Sequence, residues 1–225
     1  MSDAEDTPPT ARSGAWLASR ALLGFALVAV SLLALVDLTA APRIAEAEAR
    51  DRLQTLQQVL PPGSYDNDLL NHTRSIELPA ALSAPGPDTI WQARLQDEAV
   101  AVILPVRAPD GYSGAIDLLV GIDKSGKLLG VRVTQHRETP GLGDAIDIAR
   151  SDWILQFNGR ALGQPPLERW KVRKDGGDFD QLTGATITPR AIVKAVRAAL
   201  QFHQEQAAEL YSDFCIAQGD HEQHC

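Results

Sequence analysis

The most hydrophobic part of the chain is a run without charged residues over 21–36. With residues 37–41 added, the segment is 21 residues long, and a helix of that length spans roughly 32 Å, enough to cross a bilayer core. Asp37 lies near its end, where a charge costs less than at mid-membrane. The pattern predicts one transmembrane helix over 21–41, in contact with membrane lipid and preceded by a segment over 1–20.

A cleaved signal peptide is the main alternative to this helix, since the small residues 39–41 resemble a cleavage site. The leader before the apolar run contains Asp3, Glu5 and Asp6, and it is too long and too acidic for an ordinary signal peptide. A buried core helix is disfavoured by the position at the N-terminus. Arginines flank the run in nearly equal number, so charge leaves its orientation open.

A second helical pattern follows over 44–60, with leucines on one face, and the Pro-Pro-Gly sequence at 61–63 ends it. Residues 83–88 are rich in Pro and Gly and form a turn-rich joint. We predict that 42–88 is a helical stalk and linker region. The C-terminal residues, 211–225, contain no motif and are predicted to form a flexible tail.

Short apolar runs beyond this joint predict strands over 99–106, 115–122 and 129–133. The last run alternates apolar with polar residues, which is typical of a half-buried strand. Turn sequences separate the runs, and hairpins of this spacing make an antiparallel sheet.

Two helices are predicted after the sheet, over 145–157 and 189–210. Thr188 is the expected N-cap of the second helix, with Pro189 at its first position. A sheet and helices without regular strand–helix alternation predict an α+β fold. We place the corresponding domain at 89–210.

Composition narrows the function classes. The formal net charge is -8, which disfavours nucleic acid as a partner because phosphate binding needs a basic face. Cys215 and Cys225 are the only cysteines, which excludes a disulfide-built scaffold, a four-cysteine zinc site and a cysteine-held iron–sulfur cluster. Asp175, Asp178 and Asp180 lack the pattern of an EF-hand, so no metal site is predicted.

Two glycine-containing segments are candidates for chemistry. Residues 136–144 join a predicted strand to a predicted helix, and their proline and glycines permit a tight turn and a close approach by another molecule. Residues 175–188 hold three threonines around a Gly-Ala pair before a helix N-terminus, where free N–H groups suit a phosphate. A plain connection and a plain helix cap are the alternatives.

The second segment resembles a known family. Thr183-Gly184-Ala185-Thr186 is similar to the [Ser/Thr]-Gly-Ala-Thr motif of covalent flavin-binding domains, and Asp180 fits the extended form of that motif. The Glu-Thr-Pro-Gly-Leu-Gly loop at 138–143 also resembles theirs. With one N-terminal span, the chain over roughly 15–210 is similar to the RnfG-type subunits of Rnf electron-transport complexes.

The resemblance implies that a flavin transferase attaches FMN through its phosphate to Thr186. It implies that Gly184 and Ala185 give the phosphate room, and that Thr183 and Thr188 donate hydrogen bonds to it. Contacts with the flavin ring are expected from the other loop, whose residues are Glu138, Thr139, Pro140, Gly141, Leu142 and Gly143.

The function implied by the resemblance is electron relay within a complex, not turnover by a stand-alone enzyme. The expected partners are the other membrane subunits of an Rnf complex and the flavin transferase. The flavin-bearing domain is expected on the periplasmic side of a bacterial inner membrane, with a cytoplasmic N-terminus. Two alternatives stay open: a component similar to the C subunit of the sodium-pumping NADH:quinone oxidoreductase, and a flavin-free anchored scaffold module.

Overall fold

The computed structural model describes residues 11–83 and 88–212. The chain divides after Arg50 into two compact units. Nearly all of the predicted tail, the first ten residues and the centre of the joint at 83–88 lie outside the described residues.

An α-helix, α1, covers Ala11–Gln57. It replaces the two helices predicted over 21–41 and 44–60 by one, since the residues that follow the apolar run are mostly alanine, glutamate and arginine, which are good helix formers. Within the described ranges, one helical stretch, Ser19–Gln57, is long and apolar enough to cross a membrane.

The chain beyond α1 builds a five-stranded antiparallel sheet in the order β1-β2-β3-β4-β5. The strands are β1 Thr73–Ile76, β2 Asp88–Leu95, β3 Glu98–Ala108, β4 Ile116–Asp123 and β5 Leu128–Gln135. Each strand pairs with its neighbour in sequence, as in successive hairpins. The three predicted strands are confirmed as β3, β4 and β5, and the α+β fold class is confirmed.

Strands β1 and β2 are absent from the sequence prediction. The sheet therefore begins before residue 89, inside the segment predicted as stalk and linker. Gln96 and Asp97 connect β2 to β3 with φ values of 52° and 62°. A tight hairpin needs such left-handed residues, but its usual Asn-Gly or Asp-Gly signal is missing here, so the hairpin is not visible in the sequence.

Apolar residues cover both faces of the sheet. A long helix, α2 at Ile187–Leu210, packs on one face and contributes Ile192, Val196 and Leu200 to the larger core. Residues that follow the apolar part of α1, including Leu56 and Leu69, bury the other face.

Two glycines let the chain after α1 lie directly on the sheet. Gly121 of β4 pairs with Gly130 of β5. A Cβ atom added at Gly121 would lie 2.5 Å from the Val59 carbonyl oxygen, and one at Gly130 would lie 2.9 Å from the Val59 Cα. Only residues without a side chain permit this contact.

The helix predicted over 145–157 is wrong. Two short 3₁₀ helices, Gly143–Ile146 and Asp152–Phe157, occupy this region. Ser151 separates them, because its extended backbone breaks the helical path while its hydroxyl accepts the Trp153 N–H and donates to the Ala145 carbonyl.

The helix predicted over 189–210 is confirmed as α2, but its start is corrected. Its N-cap is Thr186, and Thr188 lies inside the first turn. Thr188 is fully buried and its hydroxyl donates to Glu138. The helix therefore starts two residues before the predicted position, and the long-range partner of Thr188 could not be seen in the local sequence.

Candidate functional site

The two candidate segments meet at one cavity of about 490 Å³ beside the N-terminus of α2. Predicted site residues supply most of its lining. The lining residues are Tyr112, Glu138, Thr139, Leu142, Gly143, Gly184, Ala185, Thr186, Ile187 and Thr188. The structure thus joins segments that are about 40 residues apart in sequence.

Four predicted site residues lie outside this lining. Pro140 and Gly141 are exposed on the loop that leads into the cavity, and Thr183 is exposed just before the glycine turn. Asp180 pairs with Arg173 at 3.0 Å instead of pointing into the cavity.

Thr186 combines a capping position with a hydroxyl that makes no capping bond. It is the N-cap of α2, and its side chain forms no cap hydrogen bond. A capping threonine ordinarily has an extended backbone and accepts an N–H of the first turn, whereas Thr186 has helical dihedral angles, with φ −86° and ψ −28°. Its hydroxyl is therefore available for other chemistry, at the helix end whose free N–H groups and positive dipole favour an anion.

Two glycines bring the segments together. Gly184 has φ +82°, and a Cβ atom there would lie 2.9 Å from Cδ2 of Leu142. At Gly143 an added Cβ would lie 2.9 Å from Oε2 of Glu138, in the same segment, and 3.2 Å from the Thr188 hydroxyl oxygen of the other segment. Gly143 therefore permits the close approach of the two segments, and its positive φ favours glycine at Gly184.

Glu138 ties three segments together at the floor of the cavity. Its side chain is 4% exposed. Oε1 accepts the Ser113 N–H at 3.0 Å, and Oε2 accepts the Thr188 hydroxyl at 2.5 Å. The predicted donation from Thr188 to a phosphate is therefore corrected, because this hydroxyl proton is already committed to a buried carboxylate.

The loop at 138–143 closes on itself. The N–H groups of Leu142 and Gly143 donate to the Thr139 carbonyl at 3.2 and 3.0 Å. These amides are consequently used within the loop, so the ring contacts expected there do not come from these two N–H groups. The loop instead offers the Leu142 side chain, which is 45% exposed at the cavity.

The loop at 180–186 is held by main-chain hydrogen bonds at Asp180. The Asp180 carbonyl accepts Nε1–H of Trp153 at 2.8 Å, and its N–H donates to Oε1 of Gln156 at 2.7 Å. Below them Phe157 stacks on Phe179 with ring centroids 4.9 Å apart. These bonds use the main chain of Asp180, while its side chain pairs with Arg173.

Sequence reasoning missed Tyr112 and Ile187 as lining residues. Tyr112 follows the turn Pro109-Asp110-Gly111, which indicates only a connection between strands. Ile187 lies between two threonines of the motif. The one sequence signal for Tyr112 is an aromatic residue directly after a turn sequence.

Arginines engage the three aspartates considered for calcium. Arg190 pairs with Asp175, Arg169 with Asp178 and Arg173 with Asp180. The hydrogen bond from Arg190 lowers the pKa of Asp175, and that from Arg169 lowers the pKa of Asp178. Over residues 11–83 and 88–212, no group of three or more His, Cys, Asp or Glu side chains could hold a metal ion. The cysteines of the tail lie outside these residues.

The fold and cavity define a flavin-binding protein. The FMN-binding domain family matches residues 111–201, which contain both loops of the cavity. The family described as the RnfG N-terminal region matches residues 12–59, which include nearly all of α1.

Similar chains are named as the G subunit of an ion-translocating oxidoreductase complex. One from Pseudomonas aeruginosa is 53% identical over 182 residues, covering 80% of this chain and 85% of the relative. One from Cronobacter sakazakii is 47% identical over 186 residues, covering 83% of this chain and 88% of the relative. One from Shewanella amazonensis is 44% identical over 191 residues, covering 85% of this chain and 89% of the relative. The chain belongs to this family of G subunits.

Proposed function

We propose that this protein is the membrane-anchored flavoprotein subunit of an Rnf-type ion-translocating electron-transport complex. It carries FMN as a phosphoester on Thr186 and relays electrons, with no substrate turnover of its own. Bound FMN supplies one- and two-electron redox chemistry, and the chain supplies attachment, orientation and a shaped cavity.

The unpaired Thr186 hydroxyl carries this proposal. Three threonines surround the Gly-Ala pair, but their environments differ. Thr188 is buried and bonded to Glu138, while Thr183 is exposed outside the cavity. Thr186 alone of the three lines the cavity and leaves its hydroxyl without a capping bond.

The surrounding residues fit FMN in size and charge. Gly184 and Ala185 add almost no side-chain bulk to the lining beside Thr186. The N-terminus of α2 presents N–H groups to a phosphate ester on its own N-cap. A cavity of about 490 Å³ lies in the usual size range of cofactor sites.

We further propose a single-pass topology in a bacterial inner membrane. The transmembrane part of α1 contacts lipid, residues 1–20 are cytoplasmic and the flavin domain is periplasmic. Its partners are the other membrane subunits of the complex and, during maturation, a flavin transferase. Anchoring holds the domain near those subunits, as electron transfer requires.

The alternatives find less support. The relatives from Pseudomonas, Cronobacter and Shewanella all bear the G-subunit name, and the match over 12–59 is to an RnfG region. These findings favour an Rnf complex over the sodium-pumping quinone reductase. Copurification separates the two, because only the favoured function predicts recovery of Rnf subunits.

In-gel flavin fluorescence of denatured protein tests the attachment. Full-length protein is produced with an active flavin transferase, beside Thr186→Val and the matched control Thr183→Val. We expect a fluorescent band in the unsubstituted protein and in Thr183→Val, and none in Thr186→Val. Intact mass should show one FMN phosphoester. An unmodified native polypeptide would favour the scaffold alternative, and a band kept in Thr186→Val would move the attachment elsewhere.

A further inference from the structure

Exposed large apolar side chains concentrate at the cavity. Beyond α1, the described residues include five such side chains: Leu95, Tyr112, Leu142, Leu167 and Ile187. Three of them, Tyr112, Leu142 and Ile187, line this one cavity. Tyr112 is the most exposed of all five, at 68%. Apolar side chains gathered around a cavity are typical of a surface that a ligand or partner covers.

The loop that carries Tyr112 is braced from inside the cavity. A Cβ atom at Gly111 would lie 2.2 Å from the Gly114 carbonyl oxygen, so the loop turns as tightly as glycine allows. The next residue after Tyr112, Ser113, donates its N–H to Glu138, which also holds Thr188 of α2.

A second brace acts from outside. Asp110, two residues before Tyr112, accepts a hydrogen bond from Nζ of Lys194 on α2 at 2.5 Å. The loop is thus linked to α2 directly by this exposed ion pair and indirectly through Glu138. Tyr112 lies between these two contacts.

We propose that Tyr112 stacks on the isoalloxazine ring of FMN attached at Thr186, while Leu142 and Ile187 supply apolar contact to the same ring. The inference rests on the proposed function and adds a ring-contacting residue to it. A flat aromatic ring with an apolar dimethylbenzene end, tethered inside this cavity, would cover the three exposed side chains. Tyrosine suits such a site because aromatic rings prefer offset stacking.

The ring accounts for the apolar rim better than a partner subunit does. Tyr112, Leu142 and Ile187 line the same cavity as Thr186, so a ligand tethered there lies within their reach. A stable protein interface needs about 800 Å² on each partner, far more than three side chains supply. If another subunit docks on this rim instead, the test below shows it as a loss of copurifying subunits.

The test compares Tyr112→Leu and Tyr112→Phe with Leu167→Ala, which removes an exposed apolar side chain outside the cavity. Flavin emission of the native full-length protein is divided by the emission of the same sample after denaturation, so the ratio is independent of flavin loading. Iodide quenching of the native emission measures access of solvent to the ring. A phenol near an excited flavin quenches its emission by electron donation, whereas the phenyl ring of phenylalanine stacks without that donation.

We expect Tyr112→Leu to raise the emission ratio about threefold and to increase iodide quenching, since an aromatic contact shifts a stacking equilibrium by a factor of that order. Tyr112→Phe should raise the ratio but leave iodide quenching at its original level. Leu167→Ala should change neither quantity. If Tyr112→Leu carries too little flavin, the emission ratio of Tyr112→Phe decides, and an unchanged ratio overturns the inference.

Two outcomes overturn the inference. If flavin is attached at Thr186 but both readouts are unchanged in Tyr112→Leu, the tyrosine does not contact the ring. If they are unchanged while Rnf subunits no longer copurify, the rim is a docking surface instead. Absence of flavin from every variant and from the unsubstituted protein contradicts the proposed function itself and is seen directly in the denatured emission.

Discussion

The Glu138 carboxylate accepts the hydroxyl proton of Thr188 at 2.5 Å, across 50 positions of sequence. Both side chains are buried. The contact joins the loop after β5 to the first turn of α2, and the Ser113 N–H adds the loop after β3 to the same carboxylate. One buried carboxylate therefore links three segments that meet at the cavity.

Replacing Glu138 by glutamine tests this junction. The amide oxygen can still accept the Ser113 N–H, but the NH₂ group can only donate to the Thr188 hydroxyl, whose own proton then loses its acceptor. We expect a loss of about 1–3 kcal/mol in the free energy of unfolding, because a buried donor stays unpaired. Thermal melting of the full-length protein measures it, with the exposed Glu168→Gln as control. Equal melting temperatures for the two variants would contradict this role.

Gly184 is predicted to matter through a steric contact as well as through its backbone. Gly184→Ala and Gly176→Ala each place an alanine at a left-handed φ of +82°. Only the first adds a contact, with Leu142, because nothing lies within 4 Å of a Cβ at Gly176. We expect a cost of about 1 kcal/mol for Gly176→Ala and a larger one for Gly184→Ala.

The amount of attached flavin should also differ between Gly184→Ala and Gly176→Ala. In-gel fluorescence should fall in Gly184→Ala, because the loop at 180–186 is displaced. It should stay near its original level in Gly176→Ala. Adding Leu142→Ala to Gly184→Ala should restore part of the loss, since the clashing side chain is removed. Equal loading in both single variants would show that the contact with Leu142 is unimportant.

The contact of Val59 with the glycine pair predicts a stability effect remote from the flavin. Gly121→Ala places a methyl group against the Val59 carbonyl, which must then move. Overpacking of this kind costs about 1–3 kcal/mol. The melting temperature should fall while flavin loading is kept, and Thr134→Ala, on the exposed part of β5, should change neither. A melting temperature unaltered in Gly121→Ala would mean that the segment around Val59 is not firmly docked.

His203 predicts a dependence of stability on pH. Burial lowers the pKa of His203 below its ordinary 6.5, against a smaller opposing effect of the Asp123 carboxylate. Its Nε2 lies 3.0 Å from the Tyr211 hydroxyl, which in turn donates to the Ile122 carbonyl. The unfolded chain gains a proton at higher pH than the folded one. The free energy of unfolding is therefore at its full value above pH 6.5, where His203 is neutral in both states. It declines as the pH falls toward the folded pKa, because the unfolded chain is protonated first.

Melting curves between about pH 8 and pH 5 measure this effect. The melting temperature should fall on acidification, and the fall should be smaller in His203→Gln. Tyr211→Phe keeps the buried histidine while removing its partner, so it should retain the pH dependence at a lower overall stability. An equal slope in His203→Gln would assign the pH dependence to other groups.

The elements that were predicted correctly have local signals. The apolar run of α1, the alternation in β5 and the helical spacing of α2 each repeat within a few residues, so the sequence alone determines them. The Thr-Gly-Ala-Thr segment and the loop at 138–143 are also visible as motifs. Their meeting at one cavity beside α2 agrees with the resemblance to flavin-binding domains.

Tertiary contacts decided the rest. Ser151, with its extended backbone, separates two 3₁₀ helices where one helix was predicted. Thr188 lies in the first turn of α2 and donates to Glu138, and Thr186 is the N-cap without a capping bond. Tyr112 became a cavity residue because its loop is tied to α2 by Asp110 and Ser113. Each of these outcomes depends on a hydrogen bond or packing contact. Most of these contacts join residues far apart in the chain, and such partners leave no periodic trace in the local sequence.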